Sequence, residues 1–488
     1  MKSLSTLLAL SAALTPAIAQ RVLPVSFARS TQRQSGTTTQ KRATFSQELN
    51  NNLTGGGYYA QVSVGTPPQA VELILDTGSS DVWILDNNAN LCSSDKLQYY
   101  YGYCLSTYNP DDSSTYEIVS DDSFSISYVD GSGAEGDYIK DTLSIGGANI
   151  TSLQMGLAEN TTINSGLLGV GFAANVASSK PYDNIMDLFV DQDLIPSQSY
   201  SLYLDDLRAE TGTILFGGLD TKKFIGKLKT VDIQADEDTG DYTSFAVELS
   251  SMYTTADNGT IKNYTSTSIP VILDSGTTLT YLPTSIANRI FDAFGAYDDS
   301  SYTGLVYIDC GYLTNNPDLT FDFQFGGTSG PIIKVPVDEM VLDNVKGYQE
   351  IGLDVPSDLP FDDVCSFGIQ SNSGYYLLGD TFLRSAYVVY DLTNKKIGLA
   401  QSNLNATETD IVEITKESGI PDVTGVASQV AYTETATSNP TVTVTGTGSA
   451  DDSGNAGTRS VPAANWEAVT VAGLASVFSL VGASLFML

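Results

Sequence analysis

Two short apolar runs along this chain end in the same way. Leu73-Ile74-Leu75 runs into Asp76-Thr77-Gly78-Ser79-Ser80, and 198 residues later Val271-Ile272-Leu273 runs into Asp274-Ser275-Gly276-Thr277-Thr278. An unbroken apolar run of this length predicts a buried strand, and the glycine predicts the tight turn that ends it. Each aspartate is therefore fixed where strand meets turn, with one hydroxyl beside it at Thr77 or Ser275 and another at Ser79 or Thr277. Helices are expected only near Asp183–Asp191 and Ser285–Ala296. Beyond Gln401 the pattern fades, and residues 403–455 lack the apolar periodicity of a core. The two ends are apolar in a different way: Leu7-Leu8-Ala9-Leu10 follows Lys2, and Ala468–Leu488 carries no charge.

The repeated turn carries a definite chemistry. Brought face to face, two such turns would oppose two carboxylates, each backed by hydroxyl donors. Like charges that close cannot both ionise, so the pair shares one proton and serves as acid and base at once. The chain has no histidine. Ser-His-Asp and Cys-His nucleophilic sites and His-based zinc sites are thereby excluded. Its four cysteines, Cys92, Cys104, Cys310 and Cys365, lack the close paired spacing of a four-cysteine metal site, and three disulfide connectivities are open. No metal or cofactor is called for. Acids outnumber bases 57 to 23, a formal charge of −34. Such a surface repels nucleic acid and anionic membrane, and repels itself least at low pH.

At these residues the chain resembles the pepsin family of aspartic endopeptidases, in which each of two lobes supplies one Asp-(Thr/Ser)-Gly turn. The resemblance spans roughly residues 56–402. The stretch Tyr58-Ala60-Val62-Val64-Gly65-Thr66-Pro67-Pro68-Gln69 looks like the entry strand, and Trp83 lies seven residues after Asp76, where the family places the support of its flap tyrosine. Ile126-Ser127-Tyr128-Val129-Asp130-Gly131-Ser132-Gly133 looks like the flap hairpin. It departs from the family at Val129, where glycine is usual; a β-branched residue stiffens the hairpin. Gly166-Leu167-Leu168-Gly169 and Leu377-Leu378-Gly379-Asp380 resemble the strands that thread beneath each catalytic loop, again once per half.

The resemblance implies an all-β fold of two six-stranded, barrel-like lobes (43–240 and 241–402) with a central cleft, a bilobal double β-barrel with few short helices. It implies Asp76 and Asp274 as the catalytic pair, Ser79 and Thr277 on the outer carboxylate oxygens, and Thr77 and Ser275 tying the loops across the interface, with Gly78 and Gly276 shaping the turns. Tyr128 closes over substrate, and Gly131 completes the hairpin turn. With proximity along the chain it favours Cys92–Cys104 and Cys310–Cys365. A bridge around a loop as short as the first contributes about 3 kcal/mol. Protein or peptide substrates and a monomeric enzyme are expected.

The flanking segments describe a route to the cell surface. Residues 1–19 read as a signal peptide cut after Ala19, and 20–42 as a basic propeptide ending in Lys41-Arg42 whose side chains lie against the acidic cleft. Residues 403–455 read as a solvated stalk, with seven threonines between Thr433 and Thr447. Asn455-Ala456-Gly457, a polar spacer and the apolar tail have the layout of a GPI-attachment signal, with Asn455 as the attachment residue and 456–488 removed. A retained membrane helix is the competing reading, although no Lys or Arg follows it. Asn52, Asn149, Asn160, Asn258, Asn263 and Asn405 head Asn-x-Ser/Thr acceptors. The whole order is similar to that of the fungal yapsins and candidapepsins, a secreted enzyme held at the plasma membrane or passed to the wall. Yapsins favour cleavage beside Lys or Arg, and Asp130 offers a carboxylate for a basic side chain, although an Asp before Gly is also an ordinary turn residue. Two other classes compete: a catalytically silent protein that kept the fold, and a carboxylate-pair glycosidase.

Overall fold

The computed structural model describes residues 57–208, 211–350 and 355–429, together with the backbone of Leu23–Arg29. The signal segment, Lys41-Arg42, Asn52, the threonine-rich stretch, Asn455 and the apolar tail lie outside the described residues.

Strands dominate, and the two halves repeat one topology around the two aspartates. In the first half Gln69–Asp76 pairs antiparallel with Tyr58–Val64 and parallel with Gly166–Gly169. Val82–Leu85 then runs antiparallel along the other side of Gly166–Gly169. In the second half Ile269–Leu273 pairs parallel with Leu377–Leu378, and Thr280–Pro283 runs antiparallel beside it. The short glycine-bearing strand thus crosses under each aspartate loop. Glycine is required there: a Cβ at Gly169 would lie 2.5 Å from the Asp81 carbonyl oxygen, and one at Gly379 would lie 2.3 Å from that of Thr277. Pairing of Tyr58–Val64 with both Gln69–Asp76 and Gly133–Ile145 curls the first-half sheet back on itself. The second half is built on an eight-stranded sheet and a smaller four-stranded one.

Strands from both halves meet beneath the loops. Ser199–Tyr203 pairs with Thr211–Phe216 on one side and with Ala386–Asp391 on the other, followed by Lys396–Ser402 and Phe224–Asp232. Along Ala386–Asp391 alternate residues face opposite ways. Val388 and Tyr390 join the main core, which runs through both halves, whereas Tyr387 and Val389 join a separate cluster on the outer face.

Helices are short and few. Ile185–Asp191 has an Asn184 cap whose side chain accepts from the Met186 and Asp187 amides, and Thr284–Phe294 ends at Gly295 in a left-handed conformation. Both fall where the pattern predicts them. Cys92–Cys104 and Cys310–Cys365 are the bridges formed, with Cα atoms 5.4 and 5.1 Å apart.

One expectation is corrected. Residues 403–429 are not a solvated stalk. Ile411–Glu413 pairs with Gly218–Asp220, Ile414 is fully buried, and Val412, Ile420 and Val423 pack on Tyr387, Val389, Phe224 and Leu228. No period marks the segment, because only a few apolar residues, irregularly spaced, cover a face already built by other strands. Of the basic segment, Leu23–Arg29 is a sheet strand held by main-chain pairing between Tyr58–Val64 and Thr211–Phe216, and the rest of 20–42 lies outside the described residues.

Candidate active site

The two turns meet at the junction of the lobes and are wired identically. Gly78 N–H donates to Asp76 Oδ1 at 2.8 Å, and Gly276 N–H donates to Asp274 Oδ1 at 2.9 Å. The Ser79 hydroxyl donates to Asp76 Oδ2, and that of Thr277 to Asp274 Oδ2 at 2.6 Å. Across the interface Thr77 Oγ1 donates to the Leu273 carbonyl and Ser275 Oγ to that of Leu75, both at 2.9 Å. Each of these hydroxyls also accepts the other loop's amide, from Ser275 N at 2.9 Å and Thr77 N at 3.1 Å. Four hydrogen bonds therefore fix the spacing of the two aspartates.

That spacing is close. The carboxyl groups hydrogen-bond to each other, and a Cβ at Gly78 would lie 2.6 Å from Asp274 Oδ1. Both aspartates are fully buried. Burial is the largest influence on Asp76, and the neighbouring Asp274 charge adds to it, so its carboxyl is held well above the usual range. Asp274 is also raised by burial, opposed by the Thr277 hydroxyl and the Gly276 amide. The pair keeps one proton between two carboxyl groups and titrates as a unit. It can take a proton from a water while donating one to a carbonyl oxygen. No metal is needed for this. Among the described residues the grouping Cys310, Asp343 and Cys365 has both sulfurs in a disulfide, leaving no thiolate for an ion.

The hairpin of Glu117–Ser127 and Gly133–Ile145 reaches over the pair. Its turn closes through Tyr128 N–H to Ser132 O at 2.8 Å and Gly131 N–H to Tyr128 O at 2.9 Å, with Gly131 at φ +82°. Trp83 Nε1–H donates to the Tyr128 hydroxyl at 2.7 Å. Burial, then the Asp76 charge, pushes that hydroxyl's pKa well up. Asp130 Oδ1 accepts from the Ser132 amide at 2.9 Å and the Ser132 hydroxyl at 2.6 Å, a turn closure rather than an open carboxylate oxygen.

With two buried carboxyl groups set side by side under a tyrosine hairpin, comparison with known proteins is decisive. The family model described as eukaryotic aspartyl protease matches residues 57–402. The chain belongs to the eukaryotic aspartyl proteases. It is 41% identical over 402 residues to a probable aspartic-type endopeptidase, opsB, of Aspergillus fumigatus, covering 80% of this chain and 76% of that one. It is 38% identical to an acid protease of Saccharomycopsis fibuligera (71% and 80% covered) and 35% identical to secreted aspartic protease 8 of Candida albicans (74% and 79%). The crystal structure of the aspartic proteinase from Irpex lacteus superposes with a TM-score of 0.57 at 21% identity, covering 80% of this chain and 99% of that one, a likeness of fold.

Three features of the protease site escaped the sequence reading. Asp81 is buried beside it, accepting from Ala177 N–H at 2.7 Å and the Tyr182 hydroxyl at 2.6 Å, and burial raises its pKa. A charge set inside Ser80-Asp81-Val82-Trp83 was the available signal. Glu339 and Arg384 form a buried ion pair, with Glu339 also accepting from Leu207 N–H at 2.8 Å. Tyr281 lies seven residues after Asp274, the counterpart of Trp83, a spacing legible once the halves are aligned.

Proposed function

We propose that Asp76 and Asp274 are the hydrolytic pair of this aspartic endopeptidase, acting directly through water at acidic pH. The ionised carboxylate takes a proton from a water held between the two. The protonated partner polarises the scissile carbonyl, and the pair then returns a proton to the departing amine. No covalent intermediate forms. The observation that carries this reading is the close approach of two buried carboxyl groups on twofold-related, cross-tied loops. Tyr128, hydrogen-bonded to Trp83, acts as the lid that excludes water. Asp76→Asn and Asp274→Asn should each abolish casein cleavage at pH 4, and a statine-type peptide should block the parent. Full activity in either variant would refute the assignment, and insensitivity to the statine would reopen the glycosidase reading.

The same reading extends to the enzyme's setting: secretion, removal of 20–42 after Lys41-Arg42, and a GPI anchor at Asn455 holding a monomer at the plasma membrane or wall. The printed name of the Candida relative, a secreted protease, supports the first of these. Phosphatidylinositol-specific phospholipase C should release activity from membranes, whereas a retained helix would keep it there. Asn149, Asn160, Asn258 and Asn263 are exposed and suited to glycans. Asn405 suits one poorly, because its half-buried amide donates to Asp206 at 2.7 Å. A preference for basic side chains is proposed on Asp130, whose charge reaches the Tyr281 and Tyr375 hydroxyls. An unchanged ratio of basic to aromatic cleavage in Asp130→Asn would remove it.

A further inference from the structure

The two halves treat their equivalent aromatic residues differently. Trp83 and Tyr281 each stand seven residues after an aspartate, on the strands Val82–Leu85 and Thr280–Pro283. Both strands run antiparallel to a crossing strand, with Trp83 opposite Leu167 and Tyr281 opposite Leu377. They are twofold mates. Among the described residues the flap belongs to the first half, and two consecutive residues at its tip reach the two lobes. Tyr128 accepts the Trp83 indole N–H in its own lobe. Val129 packs on the buried pair Ile272 and Leu377 of the opposite lobe, the same pair on which Tyr281 and Tyr375 pack. The tyrosine rings stand 6.1 Å apart at 51°, and Tyr375 is presented by a turn in which Asn372 Oδ1 accepts the Gly374 and Tyr375 amides.

We propose that Val129 is a latch that holds the flap shut across the cleft of the substrate-free enzyme, with the Ile272–Leu377 pair and the two tyrosines packed on it as its catch. Apolar contact supplies the hold, and it needs a side chain: glycine at 129 would leave that cluster without an apolar partner from the flap tip. The Asp130 turn fixes the direction in which Val129 points. The consequence follows from the kind of substrate. With its tip on both lobes, the flap bridges the cleft. A short peptide enters under a bridge by its end, but a long polypeptide cleaved internally has no end nearby. For that substrate the Val129 contact must part before the chain can reach the dyad. Val129 is thus a positioning residue that sets the cost of opening and favours short peptides over intact proteins.

The test uses the full chain with Val129→Ala, Tyr281→Ala and the double variant. Val129 is half-buried, so loss of its branched tip should speed exchange of the flap amides of Tyr128 and Gly131 about fivefold without substrate. The double variant should speed exchange by less than the two single effects combined, because both loosen the one cluster. Casein kcat/KM should rise by a similar factor through KM, with a smaller gain for a hexapeptide. Unchanged flap exchange, independent and additive single effects, or a raised KM for casein would each overturn the latch. The kinetic arm rests on the Asp76–Asp274 reading, but exchange does not. It is measurable in the Asp76→Asn background, so failure of one reading is distinguishable from failure of the other.

Discussion

Ile414 tests the most consequential departure from the sequence pattern, the folding of residues 403–429 onto the body. Its side chain is 0% exposed and belongs to the cluster of Tyr387, Val389, Leu228 and Phe224, while its amide donates to the Gly217 carbonyl at 2.9 Å. Ile414→Ala keeps the backbone bond and removes only buried carbon. Fully buried Ile-to-Ala changes cost about 2–5 kcal/mol, because lost transfer energy adds to an incompletely collapsed cavity. A value of about 3 kcal/mol is expected, since a segment on the edge of a sheet relaxes more readily than a central strand. Urea unfolding of the deglycosylated enzyme at pH 4 measures it, read as a lower midpoint at unchanged slope. The exposed Lys416→Ala serves as control and should change stability by less than about 0.5 kcal/mol. Truncation after residue 429 should preserve the melt, whereas truncation after 402 bares Phe224, Tyr387 and Val389 and should lower it sharply. A loss below about 1 kcal/mol for Ile414→Ala, with an unaffected 402 truncation, would refute integral packing and restore the stalk.

Two further outcomes follow from the site. Asp76, Asp81 and Asp274 all have pKa values raised by burial, so the folded protein keeps protons that the unfolded chain releases near 3.8. The stability linked to them is fully present below that value and is lost as pH rises through the raised ones. Asp81→Asn should flatten the fall in melting temperature between pH 4 and 6.5, by up to about 1.4 kcal/mol per pH unit within its window; an equal or steeper fall would contradict the assignment. Trp83→Phe removes the indole donor from the Tyr128 hydroxyl and should lower kcat/KM about tenfold, the cost of a buried hydroxyl left without that partner. Tyr128→Phe should cost a similar amount, and losses that simply add in the double variant would show that the pair does not act through this bond.

What was legible in the sequence is what the repeat enforces. Leu75-Asp76-Thr77-Gly78 and Leu273-Asp274-Ser275-Gly276 each state strand, acid, hydroxyl and turn within a few residues, so local chemistry alone located the dyad and its supports. Gly169 and Gly379 were legible only through the family resemblance, and the structure supplies their reason, because a crossing strand leaves no room for a Cβ. What stayed hidden depends on contacts between distant segments. Nothing near Ile414 announces that Tyr387 and Val389 need a cover, and nothing near Glu339 announces Arg384. Asp130 shows the limit in a different form: one residue type fits both a turn and a specificity carboxylate. Only the Ser132 contacts reveal that the turn occupies one of its oxygens.

The duplication also explains how the enzyme divides labour between identical parts. Each carboxylate has the same glycine amide, the same hydroxyl and the same tie to the opposite loop, so local hydrogen bonding does not assign acid to one and base to the other. A shared proton needs that near-equality, since a strong local preference would trap it on one side. Directionality must come from something present once, and that element is the flap. Tyr128 lies close enough to Asp76 to feel its charge, while Val129 touches the strand that leads into Asp274 through Ile272. On the proposed mechanism, closing the hairpin breaks the twofold symmetry as the water is enclosed. A change at the flap tip should accordingly displace the acid and base limbs of the pH–kcat profile unequally, whereas Ser79→Ala removes a donor that holds the Asp76 pKa down and should move the profile as a whole to higher pH. Equal displacement of both limbs by Val129→Ala would place the asymmetry in the loops instead.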